Sequence, residues 1–125
     1  MTAQILERVG FFGELGYDEM PGAPSLLDAC NKRGPANKDK VVAYLRSGAL
    51  FIISPGYAED YFDGSHAGKL SFLTDGTYAW PGSLAHYVDR YDVALPAEFE
   101  QFMEANAWTV PSGIDPIGLA FRPTP

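Results

Sequence analysis

The sequence is poor in the residues that mark several common kinds of functional site. Cys30 is the only cysteine, so the chain forms no internal disulfide and no cluster of thiolate zinc ligands. It contains no HExxH, CxxC or GxxxxGK[ST] pattern, and no apolar run approaches the length of a membrane span. We therefore expect no metal site, no cofactor and no transmembrane segment.

Positive charge is also scarce. Nine lysines and arginines stand against 16 aspartates and glutamates, which gives a formal net charge of −7. This charge repels nucleic-acid phosphates and anionic lipids, so we expect neither nucleic acid nor a membrane as a partner, and a basic protein is favoured instead. Residues 1–16 lack the basic and apolar regions of a secretory signal, which together with the lone cysteine predicts a cytoplasmic protein.

Length and composition predict one folded domain over residues 1–125. The hydrophobic share of 46% and the charged share of 20% are typical of soluble globular domains. Ten prolines and 13 glycines divide the chain into short elements. We predict an α+β fold, with a small, mainly antiparallel sheet of three or four strands and about four helices packed on it.

The four helices are predicted from capping residues and apolar periodicity. They cover residues 25–34, from 35 or 37 to 47, 83–91 and 96–106. Cys30 lies on the apolar stripe of the first helix, where a buried thiol is unreactive. In the third helix, His86 precedes Asp89 by three residues, a spacing that we interpret as an exposed histidine beside a carboxylate.

The strands are predicted from short apolar runs between turn residues. Residues 7–14 fit either an amphipathic turn or a short strand, and their glycines and adjacent aromatics favour the strand. Residues 49–54 are an unbroken apolar run, typical of a central strand covered on both faces. Residues 69–74 and 77–80 predict a hairpin with a two-residue turn at Asp75 and Gly76, which pairs Leu73 with Tyr78 and places Leu73, Tyr78 and Trp80 on one face. The tail from residue 109 is predicted to be extended, with little regular structure.

One segment, residues 57–63 (YAEDYFD), combines three aromatic residues with three carboxylates between two predicted strands. Loops beside a sheet often carry binding residues, and tyrosine next to carboxylates suits a basic protein partner. The alternative is a loop that buries its aromatics in the core and leaves its acids in water. The residues predicted to contact a partner are Tyr57, Glu59, Asp60, Tyr61 and Asp63, with Tyr78 and Trp80 on the hairpin face as a further site.

A second hypothesis uses part of the same segment for chemistry. Asp60, Asp63 and His66 are spaced three residues apart, and a pair of carboxylates can act as general acid and base. A small-molecule-binding domain or a small hydrolase with a pocket near these residues is therefore the alternative function. A toxin gene beside this one would favour the binding protein, whereas a metabolic operon would favour the alternative.

The order of several motifs resembles a family of small uncharacterised bacterial proteins. The most specific of them is the pattern TDGxxxWPxxLxxYVxxYxxxLPxEF at residues 74–99, and the run RVGFF at residues 8–12 also fits. The resemblance implies no catalytic residue. In size and acidity such proteins are similar to the immunity proteins that neutralise bacterial toxins, which implies a non-enzymatic protein-binding module with a cognate toxin as its basic partner.

Overall fold

A computed structural model describes residues 4–15, 25–30, 37–114 and 119–121 of the protein. Within these residues a five-stranded sheet has the order β2-β5-β6-β1-β7, and a separate two-stranded sheet pairs β3 with β4. The α+β class, with four helices and a small sheet, is confirmed. In chain order the elements are β1 (Gln4–Arg8), α1 (Leu26–Ala29), α2 (Lys38–Arg46), β2 (Ala49–Ile52), β3 (Tyr57–Glu59), β4 (His66–Lys69), β5 (Phe72–Thr74), β6 (Tyr78–Pro81), α3 (Leu84–Tyr91), α4 (Ala97–Ala105) and β7 (Leu119–Phe121).

The two halves of the main sheet differ in strand direction. β5 pairs antiparallel with β2 and with β6, whereas β1 pairs parallel with β6 and with β7. The sequence pattern predicts the antiparallel half, because a hairpin joins neighbouring segments through a short turn. It does not predict the parallel half, because parallel strands are joined by long connections. Accordingly, the predicted tail with little regular structure contains β7.

The predicted hairpin is present with a shifted register. Leu73 lies opposite Trp80 rather than opposite Tyr78, and the turn centres on Gly76 and the residue after it. The reason is that the Asp75 carboxylate Oδ1 accepts hydrogen bonds from the backbone N–H groups of Thr77 and Tyr78, at 2.9 Å and 2.7 Å. Gly76 has a φ of +92°, which glycine adopts without steric cost. Because the partner shifts by two residues, the predicted faces are retained.

β2 lies at an edge of the sheet, so the prediction of a covered central strand at residues 49–54 is wrong. Leu50 is 41% exposed, Ile52 is 38% exposed and Ile53, just after the strand, is 74% exposed. An unbroken apolar run becomes a buried strand only when another element covers it. The position of such a strand in the sheet depends on its pairing with segments that are distant in the sequence. The structure therefore leaves an apolar strand edge beside the two-stranded sheet.

Trp80 lies at the centre of the core between the sheet and the helices. Its side chain is fully buried, its indole Nε1 donates to the carbonyl of Leu45 at 2.9 Å, and its ring lies 5.4 Å from that of Phe99 on α4. Tyr78, on the same face, is partly buried, with its ring centroid 4.5 Å from that of Phe99. Trp80 is thus a core residue, which corrects its prediction as a partner-binding residue, whereas Tyr78 keeps part of its surface in water and its role stays a prediction.

The helices α2, α3 and α4 agree with their predicted positions within about two residues, a normal uncertainty for helix ends. The first helix is shorter than predicted, because Cys30 is already extended with ψ at 151°. Ser25 caps it as predicted, accepting the backbone N–H of Asp28 at 3.3 Å. The predicted end at Gly34 lies outside the described residues.

The first strand also ends early. β1 stops at Arg8, and Gly10 follows with a φ of +79°. A Cβ atom at Gly10 would lie 2.8 Å from the Leu84 side chain, so this close turn requires glycine. The predicted strand over residues 7–14 is therefore corrected to a strand end, a turn and a short 3-10 helix at Gly13–Leu15.

Candidate functional site

The segment that joins the two strands of the small sheet carries most of the predicted binding residues. β3 and β4 flank a six-residue connection, residues 60–65, and β4 contacts α3. We use the name acidic-aromatic surface for the exposed residues Tyr57, Glu59, Tyr61, Phe62 and Asp63.

Three aromatic rings of the acidic-aromatic surface are open to solvent. Tyr57 is 64% exposed, Tyr61 is 48% exposed and Phe62 is 42% exposed. The rings of Tyr61 and Phe62 meet edge to face with centroids 5.2 Å apart, and the Phe62 ring lies 4.7 Å from that of Tyr91 on α3. The loop therefore does not bury its aromatics in the core, and the binding interpretation of the segment retains its physical basis.

Asp60 points away from the acidic-aromatic surface, and its side chain is fully buried. Its Oδ2 lies 2.7 Å from Nε2 of His86 and accepts a hydrogen bond from the Tyr91 hydroxyl at 2.8 Å. Its Oδ1 accepts the backbone N–H groups of Phe62 and Asp63 at 2.7 Å and 3.2 Å. The prediction that Asp60 contacts a partner is corrected, because a carboxylate enclosed in this way joins the loop to α3 instead.

These contacts shift the pKa values of Asp60 and Tyr91. Burial alone raises the pKa of Asp60, but the hydrogen bonds from His86, Tyr91 and the two backbone N–H groups outweigh it and lower the pKa to about 2. Burial and the hydrogen bond to Asp60 raise the pKa of Tyr91 to about 12. At neutral pH the loop is therefore held by an ionised carboxylate and a protonated tyrosine.

α3 holds the loop through two further side chains. The Tyr87 hydroxyl accepts the backbone N–H of Tyr61 at 3.0 Å. The Arg90 guanidinium forms an ion pair with Asp63 at 2.6 Å and donates to the Ser65 hydroxyl at 3.1 Å. Because α3 side chains hold the Tyr61 N–H and the side chains of Asp63 and Ser65, the loop that carries the Tyr61 and Phe62 rings occupies a defined position.

These α3 residues are the part of the site that sequence reasoning missed. His86 and Arg90 are four residues apart, as are Tyr87 and Tyr91, so each pair lies one above the other on the helix. His86 contacts Asp60 rather than the carboxylate three residues further along its own helix. The apolar periodicity explains the two tyrosines as core residues, and their hydroxyls, which need partners when buried, are the signal that was available.

Asp60, Asp63 and His66, the residues of the hypothetical small-molecule or hydrolase site, do not converge on one point. Asp60 and Asp63 face α3, whereas the His66 ring lies 4.5 Å from the ring of Tyr57. None of four cavities of about 260 to 500 Å³ among the described residues is lined by Asp60, Asp63 or His66. No geometric feature of the described chain thus favours a hydrolytic site at these residues.

The described residues contain no group of three or more histidine, cysteine, aspartate or glutamate side chains that could hold a metal ion. Cys30 is a free, buried thiol, and burial, together with the charges of Glu14 and Asp60, raises its pKa. The helices in the described segments lack the length and apolar character needed to cross a bilayer.

No family model, no curated protein and no solved structure matches the chain. The resemblance to the small bacterial family therefore stays a prediction.

Proposed function

We propose that the protein is a non-enzymatic protein-binding module of the immunity type, which neutralises a basic toxin by covering it with the acidic-aromatic surface. The observation that carries the proposal is a pair of half-exposed aromatic rings, Tyr61 and Phe62, on a loop held by a buried carboxylate, with the exposed ring of Tyr57 on the adjacent strand β3.

The aromatic rings supply the apolar contact area. Interfaces gain most of their binding energy from a few residues, among which tyrosine is enriched, that become desolvated in the complex. Tyr57, Tyr61 and Phe62 each leave about half of their surface in water. Covering the exposed part of one ring, on the order of 100 Å² at about 25 cal/mol per Å², contributes about 2.5 kcal/mol.

The anchoring of the loop reduces the entropic cost of binding. A flexible loop must be ordered when a partner binds, and this ordering subtracts from the affinity. Here Asp60 holds the backbone N–H groups of Phe62 and Asp63, and Tyr87 holds that of Tyr61. The part of the chain that carries the Tyr61 and Phe62 rings is therefore ordered before the partner arrives.

The charge of the surface selects the partner. Glu59 is exposed, and its carboxylate makes no ion pair with any residue in the described segments. Asp63 is 38% exposed at its side chain although it pairs with Arg90. Added to the net charge of −7, these carboxylates attract a basic protein and accelerate its association.

The immunity role is supported by the size and acidity of the chain and by its resemblance to small bacterial proteins. A small acidic domain that binds a basic enzyme can inhibit it by blocking its surface, without chemistry of its own. The lone cysteine is consistent with action in the cytoplasm, where thiols stay reduced.

The proposal is tested by affinity capture from a lysate of the source cells with three immobilised proteins. These are the wild type, a surface variant with Glu59→Lys, Tyr61→Ala and Phe62→Ala, and a control variant. The control carries Glu104→Lys and Leu27→Ala, because Glu104 and Leu27 are also exposed but lie on α4 and α1. We expect the wild type and the control to retain the same basic protein, and the surface variant to retain at least about tenfold less.

The captured protein is then expressed alone and together with each of the three variants. The immunity role predicts that it stops growth when expressed alone, and that the wild type and the control restore growth whereas the surface variant does not. Equal capture by the surface variant and the wild type would show that the binding site lies elsewhere. A captured basic protein that is harmless when expressed alone would support the binding site and contradict the immunity role.

A further inference from the structure

A groove with two unpaired cations is lined by residues at the end of α2 and on β2, β4 and β5. It has a volume of about 330 Å³, and its lining includes Arg46, Lys69, Leu50, Leu73 and Ser71. A second cavity of about 260 Å³ shares Leu50, Lys69 and Ser71 with it and reaches Ile53. We call the first cavity the Arg46–Lys69 groove.

The cations of the Arg46–Lys69 groove are not neutralised. In the described part of the chain, the side chains of Arg46 and Lys69 make neither an ion pair nor a hydrogen bond. By contrast, Lys38 pairs with Asp92 at 2.9 Å and Arg90 pairs with Asp63 at 2.6 Å. In a chain with a net charge of −7, two unpaired cations lining one cavity create a local site for an anion.

The remainder of the groove is suited to an apolar chain. Leu50 is 41% exposed, and Ile53 at the far end of the second cavity is 74% exposed. Leu73 is partly buried against the core behind them. Small-molecule sites commonly combine such an apolar lining with a few polar groups that fix the orientation of the ligand.

Much of the backbone that lines the groove is already hydrogen-bonded, and of the main-sheet strands that line it only β2 keeps a free edge to which a peptide strand could pair. β5 lies between β2 and β6, and the Gly82 N–H donates to the Ser71 carbonyl at 2.8 Å. The Ser71 hydroxyl donates to the Ser54 carbonyl at 3.3 Å and accepts the Ser54 N–H. A ligand that adds a strand needs free backbone groups, whereas a fatty carboxylate needs only the two cations and the apolar lining.

We propose that the Arg46–Lys69 groove binds an amphipathic monocarboxylate, with its carboxylate held by Arg46 and Lys69 and its apolar chain lying along Leu50 towards Ile53. The Arg46–Lys69 groove itself contains no residue of the acidic-aromatic surface, although Tyr57 of that surface lines the second cavity. The test of the groove requires no protein partner. It adds a small-molecule ligand to a protein whose proposed partner is another protein.

Decanoate, below its micelle-forming concentration, is the probe, and binding to the purified full chain is measured by isothermal titration calorimetry. The variants are Arg46→Gln with Lys69→Gln, and Leu50→Asn. Lys40→Gln is the matched control, because Lys40 is exposed on α2 but does not line the groove. We expect one decanoate per chain, at least about tenfold weaker binding by the double variant, and less than about twofold change in the control.

Circular dichroism verifies that each variant is folded. If the double variant does not fold, Leu50→Asn tests the same groove, and it should bind decanoate more weakly than the wild type. Decyltrimethylammonium, which has the same chain and a positive head, should not bind. The proposal is overturned by the absence of saturable decanoate binding, by equal binding of the two amphiphiles, or by equal binding of decanoate to the wild type and the double variant. Tighter binding of an apolar peptide with a free C-terminus than of decanoate would also overturn it.

Discussion

The substitution Asp60→Asn tests how strongly the loop is anchored. Asparagine keeps the size of the side chain and one acceptor oxygen, but it removes the negative charge that faces His86 and the Tyr91 hydroxyl. Because the side chain is fully buried, solvent cannot replace the lost interaction. The variant should therefore fold to the same structure with a lower free energy of unfolding.

The magnitude follows from the pKa of the carboxyl. Folding lowers the pKa of Asp60 from 3.8 to about 2, and one pKa unit corresponds to about 1.4 kcal/mol. The ionised form therefore stabilises the folded chain by about 2 kcal/mol at pH 7. We expect Asp60→Asn to lower the free energy of unfolding by about this amount.

The sign of the pH dependence is set by the lowered pKa. The stabilisation by Asp60 is complete above its unfolded pKa of 3.8 and is lost as the pH falls towards its folded pKa of about 2. The difference between the wild type and Asp60→Asn should thus be about 2 kcal/mol at pH 7 and shrink between about pH 4 and pH 2. Glu14, whose pKa is also lowered to about 2, by backbone N–H donors that outweigh burial, affects both proteins equally and cancels from the difference.

The assay is urea denaturation followed by tryptophan fluorescence, to which Trp108 and the buried Trp80 both contribute, at pH 7 and at several acidic pH values. Asp39→Asn is the matched control, because Asp39 is exposed on α2, and it should change stability by less than about 0.5 kcal/mol. A difference between Asp60→Asn and the wild type below about 0.5 kcal/mol at pH 7 would refute the anchoring role. A difference that is the same at pH 7 and pH 2 would refute its electrostatic origin.

Two further predictions concern the hairpin and its contact with α2. Gly76→Val should lower the free energy of unfolding by about 1 kcal/mol or more, because Gly76 has a φ of +92° that valine adopts only with strain; unchanged urea denaturation would contradict this. Tyr44→Phe should cost about 1 to 2 kcal/mol in the same assay, because the buried Tyr44 hydroxyl donates to the Asp75 carboxylate at 2.6 Å. A variant as stable as the wild type would show that this hydrogen bond is neutral to folding.

The sequence predicted those parts of the fold that depend on local signals. α2, α3 and α4 follow from apolar periodicity and end residues, and the hairpin follows from its turn. The shifted register was missed because the Asp75 carboxylate accepts hydrogen bonds from backbone N–H groups within the turn. The edge position of β2 was missed because it depends on which distant strands pair, and short patterns carry no information on such pairings.

The candidate site was predicted in its exposed part only. Tyr57, Glu59, Tyr61 and Asp63 are exposed as a partner-binding surface requires. The anchor was missed because Asp60 and His86 are 26 residues apart in the chain, and composition does not distinguish a buried carboxylate from its exposed neighbours. A buried acid requires hydrogen-bond donors, and these are identified only when the packing of α3 against the loop is known.

The central claim is that the acidic-aromatic surface binds a basic protein, and the most direct measurement is surface plasmon resonance with the captured partner at low and moderate salt. Glu59→Lys should slow association at low salt and lose this effect as salt screens charges over about 8 Å at physiological ionic strength. Tyr61→Ala should mainly raise the dissociation rate, because an aromatic anchor acts on contact. Association and dissociation rates equal to those of the wild type for both variants would contradict the claim.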